Sequence, residues 1–190
     1  MYDDVKTFVP FNHEKAEIKN SLIEIARKQD RATVEGALAA TMIYANLVDY
    51  LGGHLLENLR RMISIYTFQK FGGVFHADYS KAETNIPLGK LIKELQSFEF
   101  PQKNDFIAQL KGFSKLRNRV MHELMKLDTS DPTQDMDTDI TRIAQFAEQI
   151  LEKYNVLTTG VAAIWNLAQQ QPGSDNTPIS PMVVNAQSSN

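Results

Sequence analysis

The sequence predicts an all-α protein, an up-and-down bundle of four to five helices. Three observations carry this expectation. Apolar residues recur at alternating spacings of three and four through most of the 190 residues, the period of an amphipathic helix. The period of two that a half-buried strand needs is nowhere sustained, and Phe98-Glu99-Phe100 is too short to count. The stretch from Gly72-Gly73 to Pro87, Pro101 and Asp128 to Pro132 separate the periodic segments, as the connections of a bundle require. A chain of this length is one domain with some trimmings and can bury a substantial core. Residues 1–169 are expected to form the helical domain, and residues 170–190 a disordered polar tail.

The first helix is expected from Asn12 to about Lys28, with Ile18, Leu22, Ile25 and Ala26 at helical spacing. The second runs from about Thr33 to Phe71. Its length and the Gly52-Gly53 pair predict either a break or kink there or a tight approach of another helix. Residues from Gly72 to Pro87 show no clear period and are expected to be a loop. A short third helix fits Leu88 to Phe98 and is ended by Pro101. The fourth spans about Asn104 to Leu127, with Asn104 as N-cap and Asp128-Thr129-Ser130-Asp131-Pro132 closing it. The fifth covers about Asp137 to Tyr154 and resumes, after a break near Thr158 to Gly160, as far as Gln169. Beyond Gln169 the Gln-, Ser- and Pro-rich composition cannot bury enough apolar surface to offset ordering.

Composition narrows the function classes. A hydrophobic share of 43% with 23% charged residues suits an ordinary globular domain. The net charge of −3 gives no global signature for nucleic acid, so any such interface has to come from local charge. The absence of cysteine removes disulfides, thiolate metal sites and cysteine nucleophiles. His13, His54, His76 and His122 are scattered without HxxxH spacing, so neither a metal site nor a cofactor is expected. No apolar h-region follows Met1-Tyr2-Asp3-Asp4, and no secretory signal is expected. The apolar stretch Gly36 to Leu56 contains Asn46, Asp49 and His54. An ionised residue near a bilayer centre costs roughly 2.5–3.5 kcal/mol, so this stretch reads as a core helix. The expectation is a cytoplasmic protein that does not engage membranes.

One stretch points at chemistry: Leu116-Arg117-Asn118-Arg119-Val120-Met121-His122, inside the fourth helix. Phe106, Leu110, Phe113, Val120, Leu124 and Leu127 form an apolar stripe, and Arg117 sits in its middle. A buried guanidinium either snorkels to a groove or meets a buried acid. On the second helix Leu38, Met42, Ala45, Gly52, Leu56, Leu59 and Ile63 form a similar stripe, interrupted by Asp49. Asp49 is therefore the expected electrostatic partner of Arg117, in a polar cleft or in a plain structural ion pair. His122 lies five residues on, about 140° around the helix, on the polar arc with Lys111, Lys115, Asn118 and Lys126. Asn118 is one turn before it and within reach. The wheel separates arginine from histidine, so convergence needs a cleft filled from two subunits. From Lys103 to Asp128 six basic residues face three acids, a local charge of +3 that leaves −6 on the remainder. Such a face suits a phosphodiester; solvated lysines on an ordinary helix face are the plainer reading. Arg60-Arg61 extends the patch if it lies nearby.

The Arg117-polar-x3-His122 pattern, late in an all-α bundle and followed by one further helix, resembles the HEPN superfamily. The resemblance implies a metal-independent RNA endonuclease acting as a homodimer, with single-stranded RNA as substrate. It places the protein in defence, stress response or a toxin–antitoxin pair, with an antitoxin or regulatory protein as a further partner. Carried to this chain, His122 is the general acid/base or orients the 2′-hydroxyl, Arg117 stabilises charge on the scissile phosphate, and Asn118 positions the histidine or a phosphate oxygen. Lys111, Lys115, Arg119 and Lys126 are the expected substrate contacts. Leu124 stands where some members carry a tyrosine two residues after the histidine, which departs from a toxin-like subtype. Other members have lost activity, so the alternative is a silent helical module that binds a protein partner or a nucleotide.

Overall fold

A computed structural model describes residues 13–70, 86–125 and 134–170. Among the described residues five helices follow one another: α1 (His13–Arg27), α2 (Val34–Lys70), α3 (Leu88–Gln96), α4 (Lys103–Leu124) and α5 (Gln134–Gln170). No strand occurs among the described residues. Most of the expected loop from Gly72, the closure at residues 128–132, Lys126, Leu127, His76 and the tail from residue 171 lie outside the described residues.

Cross-helix pairs set the topology. Arg27 meets Glu148 and Lys19 lies on Tyr154, so α1 and α5 are antiparallel. Lys153 faces Asp105, Gln109 faces Gln149 and Arg119 faces Asp139, so α4 and α5 are antiparallel too. The short link after Arg27 returns the chain along α1 as α2, with Lys19 near Tyr50. The four long helices therefore alternate in direction, and α2 runs parallel to α5 and antiparallel to α4. α3 packs on α2 and α4 through buried Leu88, Leu91, Ile92 and Leu95.

Local chemistry explains most of the boundaries. Thr33 caps α2 by accepting the Gly36 N–H at 3.1 Å. Asn104 does not cap α4. The helix begins at Lys103 because Gln102 adopts the left-handed region (φ 57°) and its carbonyl accepts the Phe106 N–H at 3.0 Å. α2 passes Gly52-Gly53 without a break. Of the expected alternatives the close approach is the one found, since a Cβ on Gly52 would lie 2.5 Å from Leu91 Cδ2. α5 likewise runs unbroken through Thr158, Thr159 and Gly160. Both threonine hydroxyls donate to carbonyls in the preceding turn, Thr158 to Tyr154 at 2.9 Å and Thr159 to Asn155 at 2.8 Å, which lets them sit inside a helix.

The α4 stripe is buried at Phe106, Leu110, Phe113, Val120 and Leu124, with Ile107 and Leu116 beside it. Two other stripes are buried only in part. On α1, Ile18 and Ile25 are exposed, and Lys19, Ile23 and Ala26 face inward. On α2, Gly52, Leu56 and Leu59 of the expected stripe are buried, Met42 and Ile63 are exposed, and Ala37, Ala40, Tyr44, Leu47, Val48, Leu51 and Leu55 also face inward. The reason is that α2 packs against all four other helices, so its buried arc is broad and not centred on the stripe. Asp49 consequently sits at the margin of the core. No helix among the described residues is long and apolar enough to cross a membrane.

Candidate functional site at the α2–α4 edge

Arg117 lies on the α4 arc that turns from the core toward solvent, with its side chain 23% exposed. Its aliphatic stem is covered while its guanidinium reaches the edge. Nε and Nη2 donate to Asn118 Oδ1 at 3.3 and 3.1 Å. Nη1 stands 3.8 Å from Asp49 Oδ2 on α2, an ion-pair contact too long to be a hydrogen bond. Arg117 thus snorkels and meets an acid at once. The asparagine holds the arginine; among the described residues no bond joins it to His122.

Asp49 is half-buried, and the burial is uneven. Its Oδ1 is out of reach of solvent and has no hydrogen-bond partner among the described residues. Burial pushes this carboxyl above its ordinary proton affinity, and the positive charge of Arg117 pulls it only part of the way back.

His122 occupies the last turn of α4, exposed and without a partner among the described residues. Lys111 and Lys115 are also exposed and carry no partner there. Arg119 is different. Its guanidinium pairs with the buried carboxylate of Asp139 on α5, so it ties two helices together. Arg60 and Arg61 each face an acid as well, Glu94 at 3.2 Å and Glu57 at 2.6 Å. The structure therefore gathers Arg117, Asn118 and Asp49, leaves His122, Lys111 and Lys115 free on the outer arc, and engages Arg119 internally. Among the described residues no group of three or more His, Asp or Glu could hold a metal ion.

A second polar cluster lies between α1, α2 and α5, and sequence reasoning missed it. Tyr154 OH meets His54 Nδ1 at 2.5 Å and Asn58 Nδ2 meets the same nitrogen at 3.1 Å. Burial pushes the Tyr154 phenol well above its usual range, so it stays protonated as donor. Tyr50 stacks on His54 with ring centroids 5.9 Å apart. The buried ammonium of Lys19 lies 4.4 Å from the Tyr154 ring centroid and 5.8 Å from that of Tyr50. One signal was present: His54 and Asn58 are four apart and share a helix face. Tyr154 and Lys19, on helices at opposite ends of the chain, carried none.

No protein-family model matches this chain, and neither the curated proteins nor the solved structures contain a match to it.

Proposed function

We propose that the chain is a metal-independent RNA endonuclease of HEPN type that acts as a homodimer. The observation that carries this reading is the Arg117 guanidinium, oriented by Asn118 at a half-open helix edge with Nη1 not hydrogen-bonded. An exposed, unoccupied histidine stands on the same helix. A guanidinium so placed can take a phosphodiester oxygen in a charge-assisted contact. His122 removes the 2′-hydroxyl proton, a task suited to a group that exchanges protons near neutrality. The 2′-oxygen then attacks phosphorus, and Arg117 balances the charge that develops. Lys111 and Lys115 hold the neighbouring phosphates.

The two motif side chains project about 140° apart on one helix. In the dimer, two α4 helices face one another so that His122 of one copy serves the phosphate held by Arg117 of the other. With α2 antiparallel to α4 and Asp49 opposite Arg117, exposed Met42 falls level with exposed Met125. Each is an exposed side chain of the adaptable kind that a second copy covers. A place in defence or in a toxin–antitoxin pair, with a regulatory protein as partner, goes with this reading. So does a cytoplasmic location.

A second reading is a silent module of the same architecture. It is favoured by one observation: Arg117 already has two partners within the chain, and His122 stands alone. Cleavage of a mixed single-stranded RNA pool in EDTA separates the two. Wild type is expected to leave 2′,3′-cyclic phosphate ends, and Arg117→Ala and His122→Ala to lose about a hundredfold or more in rate. Three folded, equally inert proteins establish the silent module. Equal cleavage by all three places the activity elsewhere.

A further inference from the structure

This inference rests on the nuclease reading and extends it. Cleavage through a 2′-hydroxyl moves two protons: one leaves the nucleophile and one must reach the departing 5′-oxygen. The Arg117–His122 pattern supplies a single titratable group for both. Among the described residues Asp49 is the titratable side chain in contact with Arg117, and it contacts no other charge. Lys19 of α1 and Tyr154 of α5 pack on each other and on Tyr50 and His54 of α2, and Glu94 of α3 pairs with Arg60 of α2.

We propose that Asp49 is the second proton-transfer group of this site, which takes up a proton when a phosphodiester occupies Arg117 and delivers it to the 5′-oxygen. Three features of the geometry support this role. Oδ2 stands beside the guanidinium that would hold the phosphate, Oδ1 is buried without a donor, and the carboxyl lies at an edge a strand can reach. Arrival of a phosphate places an anion next to the carboxylate and turns Arg117 toward a new partner. Both changes favour the neutral acid. In the step itself the 2′-O–P bond forms as the P–O5′ bond breaks. The 2′-hydroxyl proton goes to His122 and the Asp49 proton goes to O5′. The products are a 2′,3′-cyclic phosphate, a 5′-hydroxyl, an imidazolium and a carboxylate, and exchange with water resets both side chains.

The test compares wild type, His122→Ala and Asp49→Asn on two substrates across a pH series. One is single-stranded RNA. The other is uridine 3′-(p-nitrophenyl phosphate), whose leaving group departs without a proton. Asp49→Asn is expected to slow RNA cleavage about a hundredfold or more, to lose the limb of the pH profile that falls as a carboxylic acid ionises, and to cleave the activated ester within about tenfold of wild type. Asp49→Ser makes the same comparison if the asparagine variant unfolds. Wild-type and His122-dependent cleavage with Asp49→Asn impaired equally on both substrates, or on neither, overturns the proton role and leaves the nuclease reading standing. An inert wild type overturns both.

Discussion

An ionised Asp49 is held at a disadvantage that Arg117 offsets only in part. Its proton affinity is higher in the folded chain than in the unfolded one. The matching contribution to stability is therefore fully present below the unfolded carboxylate value and lost as pH rises through the raised folded one. Asp49→Asn removes that dependence. The Tm of the variant relative to wild type should climb as pH rises from the ordinary carboxylate value through the raised folded one, measured by thermal scans in matched buffers. A constant difference across that interval contradicts this account. Tyr154 makes a different prediction. Tyr154→Phe deletes the 2.5 Å bond to His54 but leaves Asn58 on the same nitrogen. The expected loss is about 1 kcal/mol in urea unfolding; a loss several times larger would mean that the whole cluster collapses. Legibility also varies residue by residue. Arg117 stood out because a charge interrupts an apolar stripe, and Asp49 for the same reason. Lys19 did not, because a buried ammonium seated on two aromatic faces looks in sequence like any solvated lysine.

Helix α4 was readable because its buried residues follow one narrow stripe against a solvated opposite face. α2 was less so, because neighbours surround it and burial no longer tracks a single stripe. α1 was misread for a third reason: Ile18 and Ile25 suggest a buried face, but the side that docks is the one carrying Lys19 to Tyr154. Glycines show how packing between elements decides the sign of a substitution. Exchange of Gly for Ala inside a helix gains about 1 kcal/mol of propensity. At Gly52 the new Cβ meets Leu91 Cδ2 at 2.5 Å within a tightly filled core, and at Gly112 it meets Phe146 Cζ at 2.8 Å. Overpacking costs about 1–3 kcal/mol, so Gly52→Ala should destabilise on balance. Gly112→Ala should fall closer to neutral, since Phe146 is only partly buried and its ring can turn aside. Gly160→Ala meets nothing within 4 Å and should stabilise by about 1 kcal/mol. Denaturant midpoints of the three variants test this order directly.

At the scale of the whole molecule, the proposed activity requires two copies, so light scattering at micromolar concentration should report a dimer. Affinity for a 2′-deoxy single strand should fall steeply with salt. Replacing Lys111 and Lys115 together by alanine should reduce the logarithmic salt slope by about one for each phosphate that a lysine no longer neutralises. An unchanged slope would place the nucleic acid on another face. Periodicity and turn chemistry were enough to establish the helical class, a count of four to five helices and their approximate limits, because those depend on neighbours three and four residues apart. Of the two outcomes expected at Gly52-Gly53 the close helix contact is the one found, and the break expected near Thr158 to Gly160 is not, because the threonine hydroxyls bond to the preceding turn. The exposure of Ile18 and Ile25 on α1 and of Met42 and Ile63 on α2, the turning of Arg119 onto Asp139, and the meeting of His54 with Tyr154 were decided by tertiary structure alone. The two polar pairs join residues 20 and 100 positions apart, and only the relative placement of whole helices brings them within reach of a hydrogen bond.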